Sequence, residues 1–204
     1  MNRRQVGILV FPEVEVLDFC GPFEVFSVAR LDEATRRETP SPYDVQLIAE
    51  APGIVRATGG LKVVADHGIA DCPPLDMLVV PGGWGVRREL SNDRLIGWIA
   101  AQRARTMASV CTGSLLLGKA GYLQGKRATT HWMVLDWMRE LFPETKVVDD
   151  EHVVEDGDLI TSAGISAGVD MALRLVGRDH GEAIARATAR YMEYPYPEDN
   201  RRRV

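Results

Sequence analysis

The chain reads as an α/β protein built on a mostly parallel sheet with helices on both faces. Three observations predict this. Short apolar runs at 5–11, 43–49, 75–80 and 105–110 have the length and composition of buried strands. Segments with apolar residues at helical spacing separate several of them, so strands and helices alternate. Small-residue turns also lead from strand into helix at 108–114 and 162–168.

In chain order, Gln5–Phe11 (QVGILVF) is the first strand and Pro12 stops it. An acidic loop with Glu13 and Glu15 leads into a helix from Val16 to about Ala29. The polar stretch 31–42 is a surface loop before a second strand, Tyr43–Ala49. Residues 53–64, interrupted by Gly59-Gly60, form a hairpin, and His67 follows on a loop with no second histidine at metal spacing. Leu75–Val80 is a buried strand ending in Pro81-Gly82-Gly83-Trp84-Gly85. A helix over 92–104 presents Leu95, Ile96, Ile99 and Ala100 on one side. The strand 105–110 then runs into Cys111-Thr112-Gly113-Ser114 and a short helix that ends by Gly121–Gly125. Thr130 is positioned to cap a helix over 132–141, which leaves His131 near its start. Strands at 146–148 and 152–154 follow, the latter joined through Asp156-Gly157 to 159–161 as a hairpin. The turn Ser162–Gly168 opens a helix over 169–176, and a last helix covers 182–192 before Tyr194-Pro195-Tyr196-Pro197.

At 204 residues with 46% apolar content, the chain has material for one substantial core, and a single domain over 1–204 is expected. The net charge of -5 leaves no broad cationic surface for nucleic acid, and the run Arg201-Arg202-Arg203 reads as a solvated tail. Cys20, Cys72 and Cys111 form neither an even set nor a CxxC pair, so neither a disulfide framework nor a zinc site is indicated. Met1-Asn2-Arg3-Arg4 runs directly into a strand-like segment, and no apolar run is long enough for a bilayer. A cytoplasmic protein with no membrane partner is expected.

Several residues carry chemistry if the fold brings them together. Cys111 falls at a strand-to-helix turn, where unpaired helix N–H groups and their partial charge stabilise a thiolate. A nearby glycine relieves crowding there. Taken alone, this stretch is read first as the end of a core strand, because cysteine is among the most buried residue types. Asp18 lies near a strand's C-terminal edge, where α/β sheets bind ligands; an acid meeting a helix dipole is an equal reading. Gly82-Gly83 is either an ordinary turn or part of an oxyanion hole. Phe19, Trp84 and Trp132 are either core aromatics or the walls of an apolar pocket.

Five segments stand in a characteristic order: Leu17-Asp18-Phe19-Cys20-Gly21-Pro22, Val80-Pro81-Gly82-Gly83, Ser109-Val110-Cys111-Thr112-Gly113, Ala128-Thr129-Thr130-His131-Trp132 and Thr161–Gly168. Together they resemble the ThiJ/PfpI superfamily, related in fold to class I glutamine amidotransferases, and most of all its isonitrile hydratase branch. The resemblance covers nearly the whole chain. It implies a flavodoxin-like three-layer sandwich with a nucleophile elbow and an activity that uses no cofactor and no metal. It further implies Cys111 as nucleophile, Asp18 as acid and base, and Thr112 as the residue that positions the nucleophile. Gly83 and Thr112 match the amides of an oxyanion hole, and His131 matches an auxiliary histidine of some branches. A small-molecule substrate and a homodimer are implied as well. Thr112 stands where peptidase-like members carry a histidine after the nucleophile, which argues against peptidase activity. Two other readings remain: a glyoxalase or deglycase reaction, and a ligand- or redox-sensing domain like those of AraC-type regulators.

Overall fold

Where the sequence runs apolar without alternation, the chain extends and is covered on both sides. The computed structural model describes residues 3–203. Its sheet begins with β1 (Arg4–Leu9), followed by helix α1 (Val16–Val28) and β2 (Tyr43–Ala49). Next come the hairpin β3 (Gly53–Arg56) and β4 (Lys62–Ala65), and the short β5 (His67–Gly68). After β6 (Met77–Val80) the chain forms α2 (Val86–Glu89), α3 (Asp93–Ala101), β7 (Thr106–Val110) and α4 (Gly113–Lys119). The remainder is β8 (Arg127–Ala128), α5 (Leu135–Leu141), β9 (Lys146–Val147), β10 (Val153–Asp156), β11 (Leu159–Ser162), α6 (Ala167–His180) and α7 (Glu182–Tyr191).

The main sheet has seven strands in the order β10-β11-β7-β6-β1-β2-β5. Only the β10–β11 pair is antiparallel. β6 and β7 are buried along their whole length, as two-sided coverage requires. α1 packs on α6 and α7, while α2 and α3 pack on α4. The order reverses between β1 and β6, since β1 leads on to β2 on one side while β6 and β7 extend the other. Loops leaving the C-terminal ends of strands at such a point splay apart and leave a crevice. Asp18 follows β1, Gly83 follows β6 and Cys111 follows β7, so three adjacent strands deliver them to one edge.

Several expectations need correction. His67 is not on a loop: it begins β5, paired with Ile48 of β2. β8 was not expected, because two residues carry no periodicity; it pairs with β9 through Arg127 and Ala128. α6 continues one turn past Val176, ending where Gly181 turns to a φ of 95°. Apolar spacing stops at 176 because the last turn is anchored by polar contacts instead: Asp179 accepts the Tyr43 hydroxyl at 3.1 Å and pairs with Arg4, and the His180 ring packs on Tyr43. His131, not Thr130, caps the next turn: Nδ1 accepts the N–H of Met133 at 3.3 Å, opening a 3-10 turn over Trp132–Val134 before α5. The thiol positions Cys20, Cys72 and Cys111 are all free.

The arginine run is not a solvated tail either. His152 N–H donates to the Asn200 carbonyl at 2.8 Å, and Asn200 Nδ2 donates to the Val153 carbonyl at 2.8 Å. Arg202 N–H donates to the Asp150 carbonyl at 2.8 Å. Backbone pairing of this kind depends on which segment lies alongside, and that is invisible in a charge run.

Candidate active site

Cys111 leaves β7 in the left-handed region, with φ at 55°. A non-glycine residue held there is strained, and only surrounding contacts keep it so. Those contacts are present. Cys111 N–H donates to the Ala163 carbonyl at 3.1 Å, and the Cys111 carbonyl accepts Thr130 Oγ1 at 3.0 Å and Ser114 Oγ at 3.1 Å. The effect is to turn the thiol out of the strand and under the amides of Thr112 and Ile165, both of which face the sulfur. Ile165 has a φ of 49°, so the second donor is also presented by a strained residue.

Asp18 lies in the first turn of α1, fully buried. Its Oδ2 accepts the Gly82 N–H at 2.9 Å, its Oδ1 has no conventional hydrogen-bond partner, and the carboxyl meets the Cys111 thiol. Burial pushes this carboxyl up to about 8 against the opposing pull of the Gly82 amide, and the nearby charge of Glu15 pushes the same way. Cys111 rises to about 12, first through burial and then through the negative charge of Asp18. The amides of Thr112 and Ile165 and the Thr112 hydroxyl work against this rise. A helix N-terminus alone leads one to expect a thiol below its ordinary value. The structure reverses that expectation, because desolvation beside a carboxylate outweighs three donors. The two groups titrate as a pair, losing a first proton near 8 and the second far higher.

Thr112 Oγ1 accepts the Gly83 N–H at 3.0 Å. Of the two amides expected in an oxyanion hole, that of Thr112 faces the sulfur and that of Gly83 is already bonded. The glycines here have no room for side chains: a Cβ on Gly82 would stand 2.6 Å from Thr112 N and 3.0 Å from Asp18 Oδ2.

A cavity of about 270 Å³ opens above the sulfur, lined by Glu15, Gly83, Trp84, Arg87, Cys111, Thr112, His131, Met133, Val134 and Ile165. Its size suits a small molecule, and its lining is apolar with two opposed charges. Burial, followed by the charge of Arg202, pushes His131 down, which favours the neutral ring. Of the candidate aromatics, Trp84 lines the cavity, Phe19 is a core residue and Trp132 stands outside, against the His131 ring. Sequence reasoning did not single out Glu15, Arg87, Met133, Val134 or Ile165. Ile165 alone had a signal, since it lies inside the small-residue turn ahead of α6. Among the described residues, no group of three or more His, Cys, Asp or Glu is arranged to hold a metal ion.

A mostly parallel sheet between helical layers, with a strained cysteine elbow after one strand and a buried acid from the first helix, defines the cysteine-elbow class of α/β proteins. Within that class the chain belongs to the DJ-1/PfpI family, whose profile matches residues 4–178. It is 39% identical to the isonitrile hydratase of Pseudomonas putida over 193 residues, covering 93% of this chain and 78% of that protein. It is 29% identical over 194 residues to the HTH-type transcriptional regulator GbdR of Pseudomonas aeruginosa, spanning about half (51%) of the regulator. Among solved structures, a ThiJ/PfpI family protein from Pseudomonas syringae superposes with a TM-score of 0.83 at 30% identity. That match covers 98% of this chain and 79% of the other.

Proposed function

We propose that this protein is a cofactor-free, cysteine-dependent hydratase that converts a small isonitrile into an N-substituted formamide. The observation that carries the reading is the contact between the buried Asp18 carboxyl and the thiol of Cys111, which itself lines a small apolar cavity. The relative named isonitrile hydratase supports it.

The terminal carbon of an isonitrile takes both a nucleophile and a proton. The reactive form of the pair holds one proton, which rests on sulfur and passes to Asp18 as the sulfur engages the carbon, leaving a thiolate beside an acid. Sulfur forms a bond to the carbon while Asp18 delivers its proton to the same carbon, giving a thioimidate, R–N=CH–S–Cys111. Asp18, now a carboxylate, takes a proton from water as the water oxygen adds to that carbon, and passes it to the nitrogen. The C–S bond then breaks as the new hydroxyl becomes the carbonyl, its proton returns to the sulfur, and R–NH–CHO leaves. A buried carboxyl serves as both acid and base because its value sits near neutrality.

Formamide release from an aryl isonitrile tests the reading, with methylglyoxal assayed beside it. Wild type is expected to turn over the isonitrile, and Cys111→Ala to lose at least about a thousandfold, as covalent catalysis requires. Turnover that persists in Cys111→Ala rules it out. Preference for methylglyoxal moves the assignment to a glyoxalase or deglycase. The kinship with GbdR favours one second reading, a ligand-sensing domain, which tight binding of a small molecule without turnover supports.

A further inference from the structure

The strongest feature outside this chemistry is the segment 199–203, which reaches the back of the elbow. Arg202 is half-buried, and its Nη2 donates to Thr129 Oγ1 at 2.5 Å and to the Thr130 carbonyl at 3.1 Å. Thr130 in turn donates its hydroxyl to the Cys111 carbonyl at 3.0 Å, and the next residue, His131, lines the cavity. One guanidinium is therefore two bonds from the strained peptide that aims the thiol.

The segment is clamped on both sides of Arg202. Asn200 bonds Val153 through both ends of its amide, at 3.0 and 2.8 Å, and Arg203 Nη1 lies 3.2 Å from Asp170 Oδ2. Asp170 is buried and also meets His152 Nε2 at 3.0 Å. Among the described residues Arg202 Nε and Nη1 have no hydrogen-bond partner, so Nη2 alone carries the side chain's polar contacts.

We propose that Arg202 is a positioning residue for Cys111: it holds the Thr129–Thr130 peptide so that Thr130 braces the elbow carbonyl and His131 is set against the cavity. The guanidinium suits the task, since one planar NH2 group donates to a hydroxyl and a carbonyl at once and the charge is permanent. Its charge also adds to the burial that pushes the neighbouring imidazole down. The proposal rests on Cys111 being the reacting group, and its test does not require turnover.

Arg202→Met and Arg202→Lys are compared with wild type and with Arg201→Met, an exposed charge control. The readouts are kcat and KM on an aryl isonitrile, the alkylation rate of Cys111 by iodoacetamide followed by mass spectrometry, and the titration of His131 by NMR. Arg202→Met is expected to lower kcat by roughly tenfold or more with KM little changed, to alter Cys111 alkylation, and to raise the pH at which His131 titrates. Arg202→Lys is expected to restore the His131 titration and only part of kcat, because an ammonium keeps the charge but lacks the planar NH2 group that meets both acceptors. It answers the question even if Arg202→Met does not fold. Wild-type alkylation and titration in Arg202→Met, or the same losses in Arg201→Met, overturn the proposal. A wild type without turnover on any isonitrile overturns the function proposed above, while alkylation and titration still decide Arg202.

Discussion

Asp18 keeps its proton near neutrality because burial disfavours the carboxylate and one amide is too little compensation. The fold bears a penalty for this. In the unfolded chain an aspartate ionises at about pH 4, whereas here it does so at about 8. The folded state therefore binds an extra proton across that window, and stability falls as pH rises from about 4 to about 8, by about 1.4 kcal/mol per unit of separation. Asp18→Asn removes the dependence. It is expected to unfold at a higher temperature than wild type at pH 8, with the gap closing toward pH 4, while turnover drops by roughly a hundredfold or more. A gap that stays flat with pH sinks the account. The same pair sets the rate profile: kcat/KM is expected to rise along a limb centred near 8, where the first proton leaves. Stopped-flow assays from pH 6 to 9 read the limb, and a limb near pH 4 would mean that Asp18 is solvated.

The elbow works because β7, α4 and the loop after β6 meet with no slack. Gly82 donates to Asp18, and its Cα packs on Thr112 so closely that an added methyl would be 2.5 Å from Thr112 Oγ1. Neither neighbour can yield: one is the nucleophile's own turn and the other is the acid. Gly82→Ala is expected to cost about 1–3 kcal/mol in urea unfolding and to depress turnover by about a hundredfold through misplacement of the pair. Loss of stability without loss of turnover would show that the loop only fills space. Gly83 is glycine for two reasons: its φ of 127° disfavours any side chain, and a Cβ there would collide with the Glu13 carbonyl oxygen and stand 2.5 Å from Glu15 N.

Across the whole protein, the sheet order decides what can react. Asp18 and Cys111 are far apart in sequence, but they follow strands separated only by β6, so the crevice at the point of reversal collects both. Trp84, Trp132 and Met133 stand 63%, 55% and 68% exposed. Trp84 and Met133 line the mouth, and Trp132 stands beside them against His131. Such a cluster is the kind of apolar surface that a second copy covers. The homodimer that the family resemblance implies is therefore carried forward as a prediction: sedimentation equilibrium is expected to give twice the chain mass, and a monomer at high micromolar concentration would refute it. No helix among the described residues is long and apolar enough to cross a membrane.

Much of this was legible in the chain. Unbroken apolar runs such as Met77–Val80 announce buried parallel strands, and a cysteine between strand and helix announces an elbow, because both signals are local. The order of the five motifs pointed to the family, and Asp18, Gly83, Thr112 and His131 do lie around Cys111. Tertiary structure alone decided the rest. The direction of the Cys111 shift, the commitment of the Gly83 amide, the capping role of His131 and the seat of Arg202 all depend on what lies opposite in space. Desolvation and long-range hydrogen bonding leave no local pattern, so a charge run that reads as solvent-facing can end behind the nucleophile.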